Sequence, residues 1–184
     1  MLVQPHGGPS ERCGKATAVL AKHEVESPKV FTRQRCVNES EIDELGHVSN
    51  VDYVRWIQDV ARAHSTDVGW DYAAYLELGG VFVVRRHEVD YLRPALLGEN
   101  VELTTWVESW SAATSIRRTN IVRTSDGLVL ARAATTWALV STTNGRPTRI
   151  PERVRTAFAE PSPDPASNTD SASNDESASN TEAG

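Results

Sequence analysis

The run Glu41-Ile42-Asp43-Glu44-Leu45-Gly46-His47-Val48-Ser49-Asn50 sets a carboxylate and an imidazole four residues apart across a glycine, directly ahead of a helix-like segment. Ser49 is a good N-cap residue, and Asp52 stands three positions later as the acidic member of a capping signal. A helix starting here would present backbone amides with no partners inside the helix, at the positive end of its dipole. Such amides can hold an oxyanion. Asp43 would face the same space from one tight loop away. Taken alone, the residues leave two readings open: a reactive carboxylate beside an oxyanion donor, or an acid that only shapes a turn.

The elements that would position this run follow from the periodicity on either side. Lys29 to Val37 alternates and is rich in β-formers, predicting a strand that delivers Asp43. The spacing predicts a helix from about Asn50 to Asp67, with Val51, Val54, Ile57, Ala61 and Val68 on one stripe and Tyr53, Trp56 and Val60 on another, buried on more than one side. A shorter segment, Trp70 to Leu78, closes at Gly79-Gly80 and reads as a pocket wall. Four strands follow at Val81–Leu92, Val101–Trp110, Ala113–Thr124 and Leu128–Ser141, with turn signals at Asp126-Gly127 and Asn144-Gly145. The order predicts an α+β layer in which an antiparallel sheet of about five strands wraps around one long central helix.

The 184 residues, 39% of them hydrophobic, suffice for one core. The expected organisation is a flexible leader over 1–26, a folded domain over 27–159, and a disordered acidic Ser/Asn/Pro tail over 160–184, where Ser-Ala-Ser-Asn and Ala-Ser-Asn-Thr recur. The tail holds six acids and no Lys or Arg, so the whole formal net charge of −6 belongs to it and the remainder is neutral. That balance argues against nucleic acid or a membrane surface as partner. Cys13 and Cys36 show no CxxC or Cys/His ligand spacing, and His23-Glu24 and His87-Glu88 lack a second histidine four residues on, so no metal or other cofactor is expected. The first residues carry no signal-peptide core, which places the protein in the cytoplasm. No Gly-x-Ser-x-Gly elbow, P-loop or Gly-x-Gly-x-x-Gly occurs.

Three stretches share a further pattern. They are Asp43-Glu44-Leu45-Gly46-His47-Val48-Ser49-Asn50 with Tyr53 and Trp56; Val89-Asp90-Tyr91-Leu92-Arg93-Pro94-Ala95 with Gly98-Glu99; and Gly145-Arg146-Pro147 with Arg149-Ile150-Pro151. In this order they resemble the hotdog-fold thioesterases, in the branch that holds 4-hydroxybenzoyl-CoA thioesterase and related acyl-CoA and acyl-carrier-protein thioesterases. The resemblance spans about Lys29 to Phe158.

It implies a catalytic carboxylate at Asp43, a carbonyl-polarising amide at Asn50, and a part for His47. Tyr53, Trp56, Val81, Phe82 and Arg117 are the candidate substrate-binding residues. Asp59 and Gln58, two turns into the helix, rank second as the acid. It further implies a hydrolase acting on an acyl-CoA or acyl-carrier-protein thioester, built as a homodimer or homotetramer paired through sheet edges. Ser111-Ala112-Ala113 falls where the 4-hydroxybenzoyl-CoA enzyme grips nucleotide phosphate with basic residues. Arg117, Arg118, Arg85 and Arg86 are the nearby substitutes, and most of them read as a solvated strand face. The rival reading on the same frame is a non-catalytic acyl or carrier-protein binder.

Overall fold

A computed structural model describes residues 23–24 and 27–160; nearly all of the expected leader and tail lie outside them, and the two described leader residues, His23 and Glu24, form a short strand and not a loose end. Strands β1 (His23–Glu24) and β2 (Phe31–Cys36) precede the long helix α1 (Asn50–Asp67) and the short helix α2 (Tyr72–Leu78). Then come β3 (Gly80–Tyr91), β4 (Asn100–Trp110), β5 (Thr114–Arg123), β6 (Val129–Ser141) and α3 (Glu152–Ala157). The strands form one six-stranded antiparallel sheet in which β4, β5, β6 and β3 lie side by side. β2 and the two-residue β1 share the outer edge of β4. This is the expected hotdog arrangement, with α1 packed against one face of the sheet.

Helix α1 begins where its cap residues dictate. Ser49 Oγ accepts the Asp52 amide at 3.2 Å and donates to Asp52 Oδ2 at 2.6 Å, and Arg55 pairs with Asp52 from the next turn. Beyond this cap the buried positions are Tyr53, Trp56, Ile57, Val60, Ala61 and His64, a single stripe at helical spacing rather than the two expected. Val51, assigned to a buried stripe, is 62% exposed.

Helix α2 stops at Gly79, whose φ of +78° is the left-handed conformation that glycine adopts without steric penalty. The chain then turns directly into β3, where a Cβ at Gly80 would sit 3.2 Å from the Val140 carbonyl. The expected closing turn is followed by α3, which the sequence pattern did not reveal. It buries Val154 and brings Phe158 under the sheet.

The core has two apolar clusters. Tyr53, Trp56, Ile57, Val60, Leu103 and Ile121 fill the half near the start of α1, and Tyr75, Val107, Trp110, Leu139, Val154 and Phe158 fill the other. Buried polar side chains also lie on this face: Thr105 opposite Thr119, and Arg117 between Val107 and Thr135. No helix among the described residues is long and apolar enough to cross a membrane.

Candidate active site

Between β2 and α1 the chain makes a tight hairpin. The Asp43 amide donates to the His47 carbonyl at 2.9 Å, and the Gly46 amide to the Asp43 carbonyl at 3.0 Å. Gly46 adopts φ +78° in open space, so the backbone twist and not crowding is what calls for glycine there. Asp43 Oδ1 accepts the Leu45 amide at 2.8 Å, which orients the carboxylate while its side chain stays 31% exposed. His47 Nδ1 lies 3.8 Å from Asp43 Oδ1, beyond hydrogen-bond range, and 3.2 Å from the Val48 carbonyl. With Nδ1–H donating to that carbonyl, neutral His47 keeps Nε2 as an acceptor. The Asn50 and Val51 amides open α1 and have no acceptor within it. Asp43 and His47 thus face each other across a partly exposed hairpin, and Asn50 opens α1 two residues after the Val48 that closes it.

What holds this loop is a residue that the sequence did not single out. Glu41, 8% exposed, accepts Trp56 Nε1–H and the Asn38 amide, each at 2.9 Å, and pairs with Arg35. Its carbonyl accepts the Ser49 amide at 2.9 Å, and the Val48 amide reaches the Ala95 carbonyl at 2.9 Å. One carboxylate therefore ties strand β2, the loop and α1 together. Glu41→Ala would leave a buried indole N–H and a half-buried guanidinium without their acceptor. It should lower stability by about 2–4 kcal/mol, seen as a lower urea midpoint with an unchanged slope. A midpoint equal to wild type would remove Glu41 from this role.

The other candidates divide. Tyr53 and Trp56 are 3% and 1% exposed and belong to the core. The Tyr53 hydroxyl accepts the Ala95 amide at 3.1 Å and donates to the Arg93 carbonyl at 3.4 Å. In this chain they pack beneath the loop, away from the wall of the cavity described next. Val81 and Phe82 instead line a cavity of about 450 Å³ between the second half of α1, helix α2 and the sheet, and neither Tyr53 nor Trp56 reaches its wall. Gln58, Trp70, Tyr75, Trp110 and Trp137 share that wall. Asp59 is turned to an exposed pairing with Arg62.

Arg117 also lines the cavity, and it is not part of the solvated strand face expected for most of the four arginines. The residue is 5% exposed and points inward under α1, where Nη1 donates to His64 Nδ1 at 2.8 Å. Burial lowers its guanidinium to about 10, still a cation at neutral pH. Arg118, the next residue, does face outward and pairs with Glu108 at 2.9 Å. Among the described residues no three His, Cys, Asp or Glu side chains converge as metal ligands.

Residues 37–158 match the thioesterase-like superfamily. Comparison with curated protein sequences finds no match. Among solved structures, a 1,4-dihydroxy-2-naphthoyl-CoA thioesterase from Synechocystis superposes with a TM-score of 0.65 at 18% identity, over 70% of this chain and 95% of that one. A DHNA-CoA thioesterase from Staphylococcus aureus gives 0.61 at 21%, over 65% and 80%. A 12:0-ACP thioesterase from Umbellularia californica gives 0.64 at 23%, over 71% of this chain and 51% of that one. At these identities the superpositions establish the shared fold.

Proposed function

The chain belongs to the thioesterase-like superfamily, and from that premise we propose that it hydrolyses an acyl-CoA thioester, or the equivalent acyl-carrier-protein thioester, to a free acid and a thiol. The observation that carries the reading is Asp43, a partly exposed carboxylate held by the Leu45 amide at the mouth of a capped helix. Asp43 either attacks the thioester carbonyl, giving a mixed anhydride that water then cleaves, or removes a proton from an attacking water. In both routes negative charge develops on the carbonyl oxygen. The free amide of Asn50 faces that charge, with the helix dipole behind it. The leaving thiol is only weakly basic, with a free pKa of about 8.5 for a cysteine-like thiol, so one carboxylate and one amide are a sufficient apparatus.

The acyl group is assigned to the cavity bounded by Val81 and Phe82. That cavity flanks the second half of α1, whereas Asn50 stands at its start; at about 1.5 Å per residue, the fifteen positions from Asn50 to Ser65 span roughly 22 Å. Pairing between copies closes the distance. Strand β3 is an edge of the sheet, twelve residues long, and a free edge of that length invites an antiparallel partner. A second β3 related by a two-fold axis would lay its Tyr91 end beside the Gly80–Phe82 end of the first. The Tyr91 hydroxyl donates to the Asn50 carbonyl at 3.3 Å. The partner's copy of the catalytic loop would therefore lie beside this chain's cavity, and a homodimer or larger even assembly is the working unit.

The direct test is thiol release from a panel of aryl-, short-, medium- and long-chain acyl-CoA and acyl-carrier-protein thioesters. Turnover of at least one of them is expected. If none turns over while one still binds, the protein is an acyl binder on a hotdog frame and hydrolysis is refuted.

A further inference from the structure

We propose that the cavity recognises an acyl group ending in an anion, a distal carboxylate held by Arg117, so that the substrate class is the monothioester of a dicarboxylic acid. The inference rests on the thioesterase reading and narrows its substrate.

Arg117 is a buried cation with no acid beside it. Its polar contacts within the fold are His64 Nδ1 at 2.8 Å and Thr105 Oγ1 at 3.4 Å, both neutral acceptors. Among the described residues no Asp or Glu carboxylate lies within ion-pair distance, whereas Arg35, Arg55, Arg62, Arg86, Arg118 and Arg123 each have one. A desolvated guanidinium without a counter-charge is costly to keep. Both contacts involve Nη1, and Arg117 lines the cavity, so Nε and Nη2 are left for a bidentate acceptor arriving there.

The rest of the wall repeats the pattern. Trp110 and Trp137 line the same space, and their buried indole N–H groups lack partners among the described residues. Each can donate and neither can accept. Val81, Phe82, Val107 and Phe158 supply apolar wall, while Arg62 and Asp71 also line the space, the Asp71 carboxylate being engaged by the Ala74 amide at 2.8 Å as the cap of α2. A largely apolar cavity with one buried cation that has no carboxylate partner, only the Phe158 ring face at 5.3 Å beside its two neutral acceptors, matches an apolar chain tipped with an anion. The two indole nitrogens are themselves sealed from the cavity, so the donors that an unsubstituted alkyl tail would leave unmet are those of Arg117.

Two measurements separate this from the hydrolysis itself. The first needs no turnover: tryptophan fluorescence, reporting on Trp70, Trp110 and Trp137, is titrated with monomethyl suberate and with methyl octanoate. The two are of equal chain length and differ in the terminal carboxylate. Monomethyl suberate should bind at least about tenfold more tightly, the equivalent of one charge-assisted hydrogen bond. Arg117→Met should abolish or reverse that preference, and Arg117→Lys should keep part of it. Equal or weaker binding of monomethyl suberate to the wild type overturns the proposal, whether or not either variant folds.

The second compares kcat/KM for suberoyl-CoA and octanoyl-CoA. A preference for suberoyl-CoA of the same order supports the inference, whereas equal cleavage of both overturns it and leaves hydrolysis standing. If neither thioester is cleaved but the binding preference holds, the anion site stands and the hydrolysis reading is decided by the wider panel of thioesters.

Discussion

Asp43→Asn should lower kcat for thioester cleavage by about 10²–10⁴-fold while leaving KM and the melting temperature near wild type. The substitution is close to isosteric, and an amide oxygen can still accept the Leu45 N–H that Oδ1 accepts at 2.8 Å. The hairpin from Ile42 to Val48 and the helix start therefore keep their geometry. What disappears is the negative charge and the basic lone pair, the two properties that either chemical route requires. Thiol release read beside circular dichroism melts makes the comparison. A variant retaining full rate would place the reactive group elsewhere, with the hotdog frame untouched. The same preparation tests the shared site. Light scattering should report an even number of copies, and a monomer with full activity would refute a cavity served by the partner's loop.

The helix start, the meander and the loop were legible because their signals are local. Ser49 and Asp52 announce α1 by chemistry that acts over three residues, and the observed span Asn50–Asp67 follows it. The strands of the meander are recognisable by alternation, and their observed ends differ from the expected ones by a residue or so. Glu41 was not legible, since its partners lie fifteen positions ahead at Trp56 and six behind at Arg35. In the sequence it is one acid among several. The burial of Tyr53 and Trp56 was not legible either, because an aromatic next to such a loop looks the same in sequence whether it is exposed beside it or supports the backbone from beneath.

Arg117 shows how a strand pattern can mislead and how it could have been corrected. In Ile116-Arg117-Arg118-Thr119-Asn120-Ile121, the two isoleucines have opposite parity, so they cannot both face the core. Reading inward from Ile116 puts Arg117 in solvent. Reading from Ile121 puts Thr119, Arg117 and Ser115 inside, which is what the fold does. The bulge that shifts the register between Val107 and Ser109 accommodates the choice. The parity conflict was visible in the sequence; its resolution depended on the neighbouring strand.

The same buried pair leads to a pH effect large enough to measure. Stability should fall steeply as pH drops below about 6.5, and His64→Gln should flatten that fall. His64 is fully buried, stacked on Phe31 with ring centroids 5.5 Å apart and edge-on to Phe158 at 5.0 Å. Burial pushes its imidazole down to about 3; Arg117 and, more weakly, Lys29 push the same way, while Asp67 opposes them. The geometry agrees, because a guanidinium can only donate and Nδ1 must therefore be the unprotonated acceptor.

In the unfolded chain the imidazole titrates near 6.5. Between 6.5 and 3 the unfolded state binds a proton that the folded state refuses, so stability is complete above the upper value and drains away toward the lower one. Linkage puts the loss at roughly 2 kcal/mol by pH 5 and roughly 3 kcal/mol by pH 4. In the His64→Gln variant the side-chain amide would offer Arg117 an acceptor and has no proton to gain, so the difference between wild-type and variant urea midpoints across this window isolates the histidine. Parallel curves for the two proteins would show that His64 is not the group that titrates.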